Sequence, residues 1–344
     1  MTQPDLPTGA TGRGRRRAIR ALVVVALVAA AWTAAWTWAR ARLIAEIDLR
    51  LPMLAERGLR VVCPERTVGG LPFRLEVACR DPGVEAVATG AGGSVAALRT
   101  AVSVWSPTTV MVEADGPLVA EAAGRGRVDA TWRRLVATLR WTPARPESVA
   151  VSIDGVDVTA HPAAGRTTRL RTEHLEASGR IPVDRPNDLD VAASTAAALL
   201  EIDGRRLGPP HADLSLTATL RDALPPGPAE PARAFAARGG RIEPIRTSFA
   251  VGGVRVDGKG AFTLGADGLL DGTVDFAAQG LEAVVRDAAA LGPETASLLG
   301  AFVLLGKPSR DPDLPGRRLE LIVDHGRPRF GRLVLPPMEP LFQP

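Results

Sequence analysis

Hydrophobic and polar positions divide this chain into two unequal parts. Residues 21–39 form an uncharged apolar run, whereas most segments after residue 58 alternate apolar and polar side chains with a period of two. That period places successive side chains on opposite faces of a strand, as in a sheet with one wet face. We therefore predict a mainly β (α+β) fold, in which an N-terminal transmembrane helix precedes long, antiparallel, curved β-sheet.

Turn signals support the antiparallel assignment. Asp-Gly, the strongest two-residue hairpin signal, occurs six times, and alternating segments such as Val149–Ile153 flank several copies. These pairs predict hairpin turns at Asp115-Gly116, Asp154-Gly155, Asp203-Gly204, Asp257-Gly258, Asp267-Gly268 and Asp271-Gly272.

Helical spacing returns near the C-terminus. Apolar residues from Leu281 to Ala288 follow the i, i+3, i+4, i+7 pattern, and a second apolar stripe runs from Leu298 to Leu305. We predict a C-terminal helical hairpin that covers one face or end of the sheet, and a shorter helix near Ala229–Arg238. Proline-rich stretches place any domain sub-boundary within 181–232.

The apolar run has the features of a transmembrane helix. It approaches the roughly 20 residues needed to cross a hydrocarbon core. Residues 1–17 are then a basic cytoplasmic tail, 18–39 the membrane span with a helix extending to about 51, and 52–344 a periplasmic antiparallel domain. The flanking residues that set this orientation are Arg15, Arg16, Arg17 and Arg20 before the run, and Trp32, Trp36 and Trp38 near its far end.

A cleaved signal peptide shares this layout and is the alternative. Ala29–Ala31 has the small residues of a cleavage site, but the run continues without a break to Ala39. We therefore favour an uncleaved signal-anchor. Both interpretations place the bulk of the chain outside the cytoplasm; the anchor interpretation makes it a single-pass protein of the inner (cytoplasmic) membrane.

The basic charge of the chain belongs to its membrane-flanking segment. Residues 1–50 carry a net +5 against +4 for the whole chain, so residues 51–344 carry −1. Aromatic residues are 4% of the chain, which leaves few rings for stacking on bases. Nucleic-acid binding is therefore not expected.

Two cysteines, Cys63 and Cys79, follow the apolar run. Each ends an alternating segment, and the two segments are joined by the turn residues Gly69 to Pro72. A hairpin of these segments would bring the thiols together, and in an oxidising compartment they would form a disulfide worth about 3 kcal/mol. Two buried free thiols are the alternative.

Catalytic and metal-binding patterns do not emerge from the chain. Gly253–Gly260 resembles a phosphate-binding loop, but it lacks the Ser or Thr ligand and continues as a strand. The acid pairs Asp188/Asp190 and Asp311/Asp313 lie among prolines and indicate solvated loops. The four histidines are scattered along the chain and do not have the spacing of metal ligands; they are His161, His174, His211 and His325. We predict no catalytic residue, no metal, no cofactor and no enzyme activity.

Several segments together resemble domain-of-unknown-function family 2125. They include Gly58-Leu-Arg-Val-Val, Val68-Gly-Gly-Leu-Pro-Phe-Arg-Leu-Glu-Val, Pro186-Asn-Asp and Leu319-Glu-Leu-Ile-Val-Asp-His-Gly-Arg. The resemblance covers most of residues 40–340 and implies an anchored envelope protein of Gram-negative bacteria. It brings no established activity and no catalytic residues, and the cysteine pair is not among its hallmarks.

The best-marked feature of that resemblance is the Gly70-Leu71-Pro72-Phe73 turn. Gly70 permits an unusual φ and Pro72 fixes the turn, while Phe73 is predicted to begin the inward face of the next strand. A structural role is favoured over a binding role.

Many strands with one apolar face, and few helices to cover them, suggest two functions. The first is a periplasmic protein that holds a lipid or other hydrophobic ligand in a trough, for cell-envelope maintenance. The alternative is an envelope scaffold or protein-interaction module with a closed β core and no ligand. Protein partners are not predicted.

Overall fold

The computed structural model describes residues 12–87, 89–143, 145–224, 231–251, 253–281, 300, 303–331 and 333–342. Two helices and nineteen strands have bounds within these residues, and the mainly β prediction is confirmed. Their bounds are α1 (Gly12–Glu56), β1 (Leu59–Val62), β2 (Glu65–Gly69), β3 (Arg74–Arg80), β4 (Gly83–Ala86), β5 (Ala91–Ser103), β6 (Ser106–Ala122), β7 (Gly126–Thr131), β8 (Arg134–Trp141), β9 (Pro146–Pro162), β10 (Thr168–Arg180), β11 (Leu189–Ile202), β12 (Arg205–Arg221), α2 (Pro231–Ala237), β13 (Gly240–Val251), β14 (Val254–Leu264), β15 (Leu270–Gln279), β16 (Lys307–Pro308), β17 (Arg317–Asp324), β18 (Arg327–Phe330) and β19 (Leu333–Val334).

Long antiparallel strands form one continuous series. β9 to β15 pair in sequence order, and β17 follows β15. On the N-terminal side, β7 and β8 together fill the position between β6 and β9, and β5 is bordered by β3 and β4. The series is unbroken across 189–221; the sub-boundary within 181–232 remains a prediction.

Helix α1 begins in the arginine block and continues well past the apolar run. It spans 45 residues, with Pro52 in its last turns. It is long and apolar enough to cross a membrane, and none of its most apolar window is buried against the rest of the protein. A retained anchor and a signal sequence both meet this description.

One stripe of α1 docks the helix on the β2–β3 hairpin. The indole Nε1 of Trp32 donates to the Pro72 carbonyl at 2.8 Å, and that of Trp36 to the Arg74 carbonyl at 3.1 Å. One turn further, Arg40 donates to the Val68 carbonyl at 2.9 Å. These donors are four residues apart, so they lie on one helix face. The helix therefore runs alongside the sheet.

Four of the six predicted Asp-Gly turns are wrong. Asp203-Gly204 and Asp267-Gly268 do lie in turns, but the pairs at 115–116, 154–155, 257–258 and 271–272 lie inside strands. Asp154, Asp257, Gly258 and Gly272 are paired on both sides, and this pairing overrides the local turn preference there. At Gly258 the cause is visible, because an added Cβ would lie 2.7 Å from the Phe276 ring. Because Gly258 has no Cβ, the Phe276 ring of the neighbouring strand can pack over it.

The predicted helices differ in outcome. α2 confirms the short helix over residues 231–237, and Gly239 follows it with φ +68°. Most of the predicted C-terminal helical hairpin, residues 282–299 and 301–302, lies outside the described residues. Next to that gap, Leu281, Gly300 and 303–305 are helical.

The buried core sits in the C-terminal half. One cluster centres on Val254, which is 1% exposed, with Leu281 and Leu319 packed nearby. A second cluster places Phe235 of α2 against Leu264. In contrast, few side chains of β1 to β10 are fully buried. Within the part of the chain that the structure describes, the N-terminal half of the sheet therefore presents apolar side chains that are not fully covered.

Candidate functional site, an apolar groove

A groove of about 900 Å³ lies at the end of the N-terminal strands far from the β2–β3 turn. Its walls come from β1, β4, β5, β6, β7, β9 and the start of β10. The apolar lining consists of Leu59, Val61, Pro82, Val84, Ala86, Ala91, Val95, Leu98, Leu118, Ala120, Ala122, Val128, Ala160 and Pro162. No described helix is among the groove-lining elements.

Strand register builds the floor of this groove from one residue per strand. Val84 pairs with Gly93, Gly93 with Ala120, Ala120 with Val128, and Val128 with Ala160. Directly paired residues project to the same face of a sheet. These five residues, the apolar stripe, are therefore contiguous in space although they are spread over 77 positions of the chain.

The residues that alternate with the stripe along these strands are mostly polar, and two of them, Glu121 and Arg127, also line the groove. Arg127 contacts Asp129 at 2.7 Å and Glu121 at 3.2 Å. The hydrogen bond from Arg127 lowers the pKa of Asp129, and the same contact raises the pKa of Arg127. Exposed pairs of this kind add little stability. Glu121 and Arg127 therefore place an ion pair at the margin of the groove, and the apolar stripe forms its floor.

Three arginines line the groove and differ in their partners: Arg127 is paired with Asp129 and Glu121 as described above. Arg166 contacts Asp203 at 2.7 Å, and this hydrogen bond lowers the pKa of Asp203. Arg125, at the exposed tip between β6 and β7, has no ion-pair partner among the described residues. Its guanidinium is available to an anionic group of a ligand.

The predicted disulfide between Cys63 and Cys79 is confirmed, with the two Cα atoms 5.7 Å apart. The strand arrangement around it differs from the predicted hairpin. β1 pairs with β4, whereas β3 pairs with β2, and Cys63 lies in the link between β1 and β2. The bridge therefore ties the segment that follows α1 to a strand with which it shares no ladder.

The marked turn residues lie between β2 and β3. Gly70 has φ +104°, which favours glycine. Phe73 does not begin an inward face, and that prediction is wrong: its side chain is 53% exposed and its ring centroid lies 6.4 Å from Trp32 and 5.9 Å from Trp105. The Phe73 ring therefore packs against these two indole rings and not in the core.

The predicted membrane flanks all lie on α1. Arg15 has helical backbone, and Arg16, Arg17 and Arg20 are exposed. Trp38 is 71% exposed. Trp32 and Trp36 have the additional docking role described above, which no local signal in the sequence indicated.

Asp188 is not the solvated loop residue that was predicted. It is 7% exposed. Arg221 donates to its carboxylate at 2.9 Å, Arg185 at 3.2 Å, and the Asp222 amide at 3.0 Å. Burial alone would raise the pKa of Asp188, but these donors outweigh it and the pKa is lowered. The carboxylate joins the β10–β11 loop to the end of β12. Asp188 and Arg221 are 33 positions apart in the chain, so sequence spacing does not reveal this contact.

One acidic cluster was also missed, because its members are distant in the chain. Asp271, Asp324 and His325 place carboxylate and imidazole atoms within 4.8 Å of one another. The hydrogen bond with Asp324, together with the charge of Asp271, raises the pKa of His325. The cluster is largely exposed and internally paired, and the His325 amide donates to Asp271 at 2.7 Å, so it ties the β17–β18 turn to the start of β15.

His325 is expected to titrate above its ordinary value of about 6.5. Because its folded pKa is raised, its contribution to stability is complete below the unfolded pKa and is lost as pH rises through the folded pKa. NMR titration of the full chain should show this, and Asp324→Asn should return the His325 pKa toward the ordinary value. The same pKa in both proteins would contradict the assignment.

The chain belongs to the family DUF2125, described as an uncharacterized protein conserved in bacteria, whose model matches residues 36–337. No curated protein matches the chain, and no solved structure matches it.

Proposed function

We propose that this protein is retained in the inner membrane by α1, with its sheet in the periplasm, where it binds a lipid or a lipid-like molecule in the groove. The apolar stripe is the observation that carries the proposal. A contiguous apolar row that no described helix lines favours a hydrophobic occupant over water. The disulfide is consistent with an oxidising compartment.

The size and chemistry of the groove match that ligand class. Its volume of about 900 Å³ falls in the range of about 300–1,000 Å³ typical of small-molecule sites. Burial of an acyl chain there would contribute about 25 cal/mol per Å² of apolar surface. Arg125 at the rim supplies a cation for an acidic headgroup, so an anionic phospholipid is the preferred candidate.

The groove lies away from the apolar run, which suggests that the protein carries or retains a ligand outside the bilayer. Seventeen residues separate Ala39, the end of the apolar run, from Glu56, the end of α1. At 1.5 Å per residue this places the groove end of the helix about 25 Å beyond the run. A lipid in the groove has therefore left the membrane, which fits a role in envelope maintenance.

Site-specific photo-crosslinking in cells tests ligand binding directly. A photoreactive phenylalanine analogue at Leu118 projects into the groove, whereas the same analogue at Val119 projects from the opposite face. We expect lipid adducts, identified by mass spectrometry of the full-length protein, at Leu118 and not at Val119. Equal labelling at the two positions, or no lipid at either, would overturn the proposal.

A charge in the groove should prevent binding. Ala120→Glu is expected to lower the lipid recovered with the full-length protein at least about tenfold, because an unpaired carboxylate in apolar surroundings costs more than about 1.4 kcal/mol. Val119→Glu on the polar face is the matched control and should retain the lipid. A folded Ala120→Glu protein with unchanged lipid content would contradict the proposal. Recovery of a stoichiometric protein partner with no lipid would favour the scaffold alternative.

A further inference from the structure

Four exposed apolar side chains form a patch that the groove does not use. Leu71 and Phe73 lie in the β2–β3 turn, and Val104 and Trp105 in the β5–β6 turn; we call them the tip patch. Trp105 is 78% exposed and Leu71 51%. The Phe73 ring lies between Trp105 and Trp32 of α1, so the two turns and the helix form one surface.

We propose that the tip patch inserts into the outer interface of the bilayer that α1 crosses. The inference rests on α1 being a retained anchor, as in the proposed function. The bilayer is the partner that fits this patch, because the patch docks on the apolar run itself and not on a part of α1 outside that run.

The docking contacts set the depth of the patch. Trp32, which donates to the Pro72 carbonyl, lies seven residues before the end of the apolar run at Ala39. At 1.5 Å per residue, the β2–β3 turn reaches about 10 Å inward from that end. Interfacial segments bury their apolar face to about 5–10 Å, so this depth is that of an inserted turn.

Several carbonyls of the β2–β3 hairpin have internal hydrogen-bond donors, as insertion into a medium with little water requires. A carbonyl that enters the interface without a hydrogen bond costs several kcal/mol, so inserted turns need internal donors. Five carbonyls at this site have such donors within 3.1 Å: Val68 from Arg40, Gly70 from the Arg74 amide, Pro72 from Trp32, Phe73 from the Val104 amide, and Arg74 from Trp36. In addition, Pro72 has no N–H to satisfy.

Side-chain composition agrees with this placement. The tip patch contains no charged residue, and two of its four members are aromatic. Trp and Phe are favoured at membrane interfaces, where Arg stems extend toward the headgroups. Arg40 stands directly after the apolar run, at the level expected for phosphate groups, and Arg74 borders the turn with an exposed side chain.

Spin-label depth measurement on the full-length protein tests the inference. Both native cysteines are bonded to each other, so an introduced cysteine can be labelled selectively. Labels are placed at Trp105→Cys in the patch, Val25→Cys in the apolar run, and Ala123→Cys at the groove end of β6. The protein is reconstituted in phosphatidylethanolamine–phosphatidylglycerol vesicles, and accessibility to oxygen is compared with accessibility to a water-soluble nickel chelate.

We expect the oxygen-to-nickel ratio at Trp105→Cys to exceed that at Ala123→Cys at least about threefold, as for a label inserted to about 5–10 Å. Equal ratios at these two sites, with a high ratio at Val25→Cys, would overturn the inference and leave the anchor intact. A low ratio at Val25→Cys would overturn the anchor and the inference together. A Trp105→Cys label shielded from both reagents would assign the patch to a second copy of this chain.

Discussion

Replacement of Asp188 by alanine is expected to lower the free energy of unfolding by about 3 kcal/mol, the lower end of the range for removal of one partner from a buried ion pair. The carboxylate is 7% exposed and accepts hydrogen bonds from Arg185, Arg221 and the Asp222 amide. Its loss removes the carboxylate that pairs with Arg221 at 2.9 Å, whereas Arg185 keeps contacts with Asp184 and Asp190. Urea unfolding of the full chain in detergent micelles, followed by circular dichroism, measures the change.

Asp184→Ala is the matched control, because Asp184 lies in the same loop and contacts Arg185, but its side chain is 80% exposed. It should change the unfolding free energy by less than about 0.5 kcal/mol. Equal effects of the two substitutions would show that burial of the Asp188 carboxylate is not what stabilises the loop.

The same carboxylate predicts an acid dependence of stability. Its folded pKa is lowered, so its contribution is complete above the unfolded pKa of about 3.9 and is lost as pH falls through the folded value. The wild-type protein should therefore lose more stability on acidification than Asp188→Ala. Parallel pH profiles for the two proteins would contradict this assignment.

Removal of the disulfide is the second large change, with an expected loss of about 3 kcal/mol for a loop of this size. Cys63 and Cys79 are 16 positions apart, and the bridge joins segments that share no strand pairing. Combined Cys63→Ser and Cys79→Ser substitution should lower the urea midpoint of the full chain, since the unfolded chain gains conformational freedom.

Chemical reduction supplies the control for that prediction. Dithiothreitol should lower the midpoint of the wild-type protein to that of the double variant and leave the double variant unchanged. A wild-type midpoint that is insensitive to complete reduction would show that β1 and β3 hold their places without the bridge.

Local sequence signals predicted the elements of the fold but not their neighbours. The Cys63–Cys79 bond was predictable because both residues end alternating segments. The hairpin assumed for it was not, because β1 takes its partner from β4 rather than from the nearer β3. Asp154-Gly155 likewise has a strong local turn preference, yet β9 continues through it because β8 and β10 pair with it on both sides.

The sequence predicted that an apolar site would exist but not which strands and residues would form it. Alternation indicated that some sheet face would be apolar and uncovered. The groove requires Val84 and Ala160 to share one face across five strands, and this depends on register rather than on spacing along the chain. Phe73 shows the same limit, since its alternation indicated the core while two distant tryptophan rings hold it at the surface.

What the sequence by itself determined is what contiguous residues decide: an apolar helix with arginines before it, long strands with one apolar face, and a near-neutral region after the helix. Tertiary structure decided where that apolar surface is left open and where the helix meets the sheet. The physical reason is that burial and hydrogen bonding act between residues brought together by pairing. The groove, the Asp188 contacts and the tip patch all join segments that are distant in the chain.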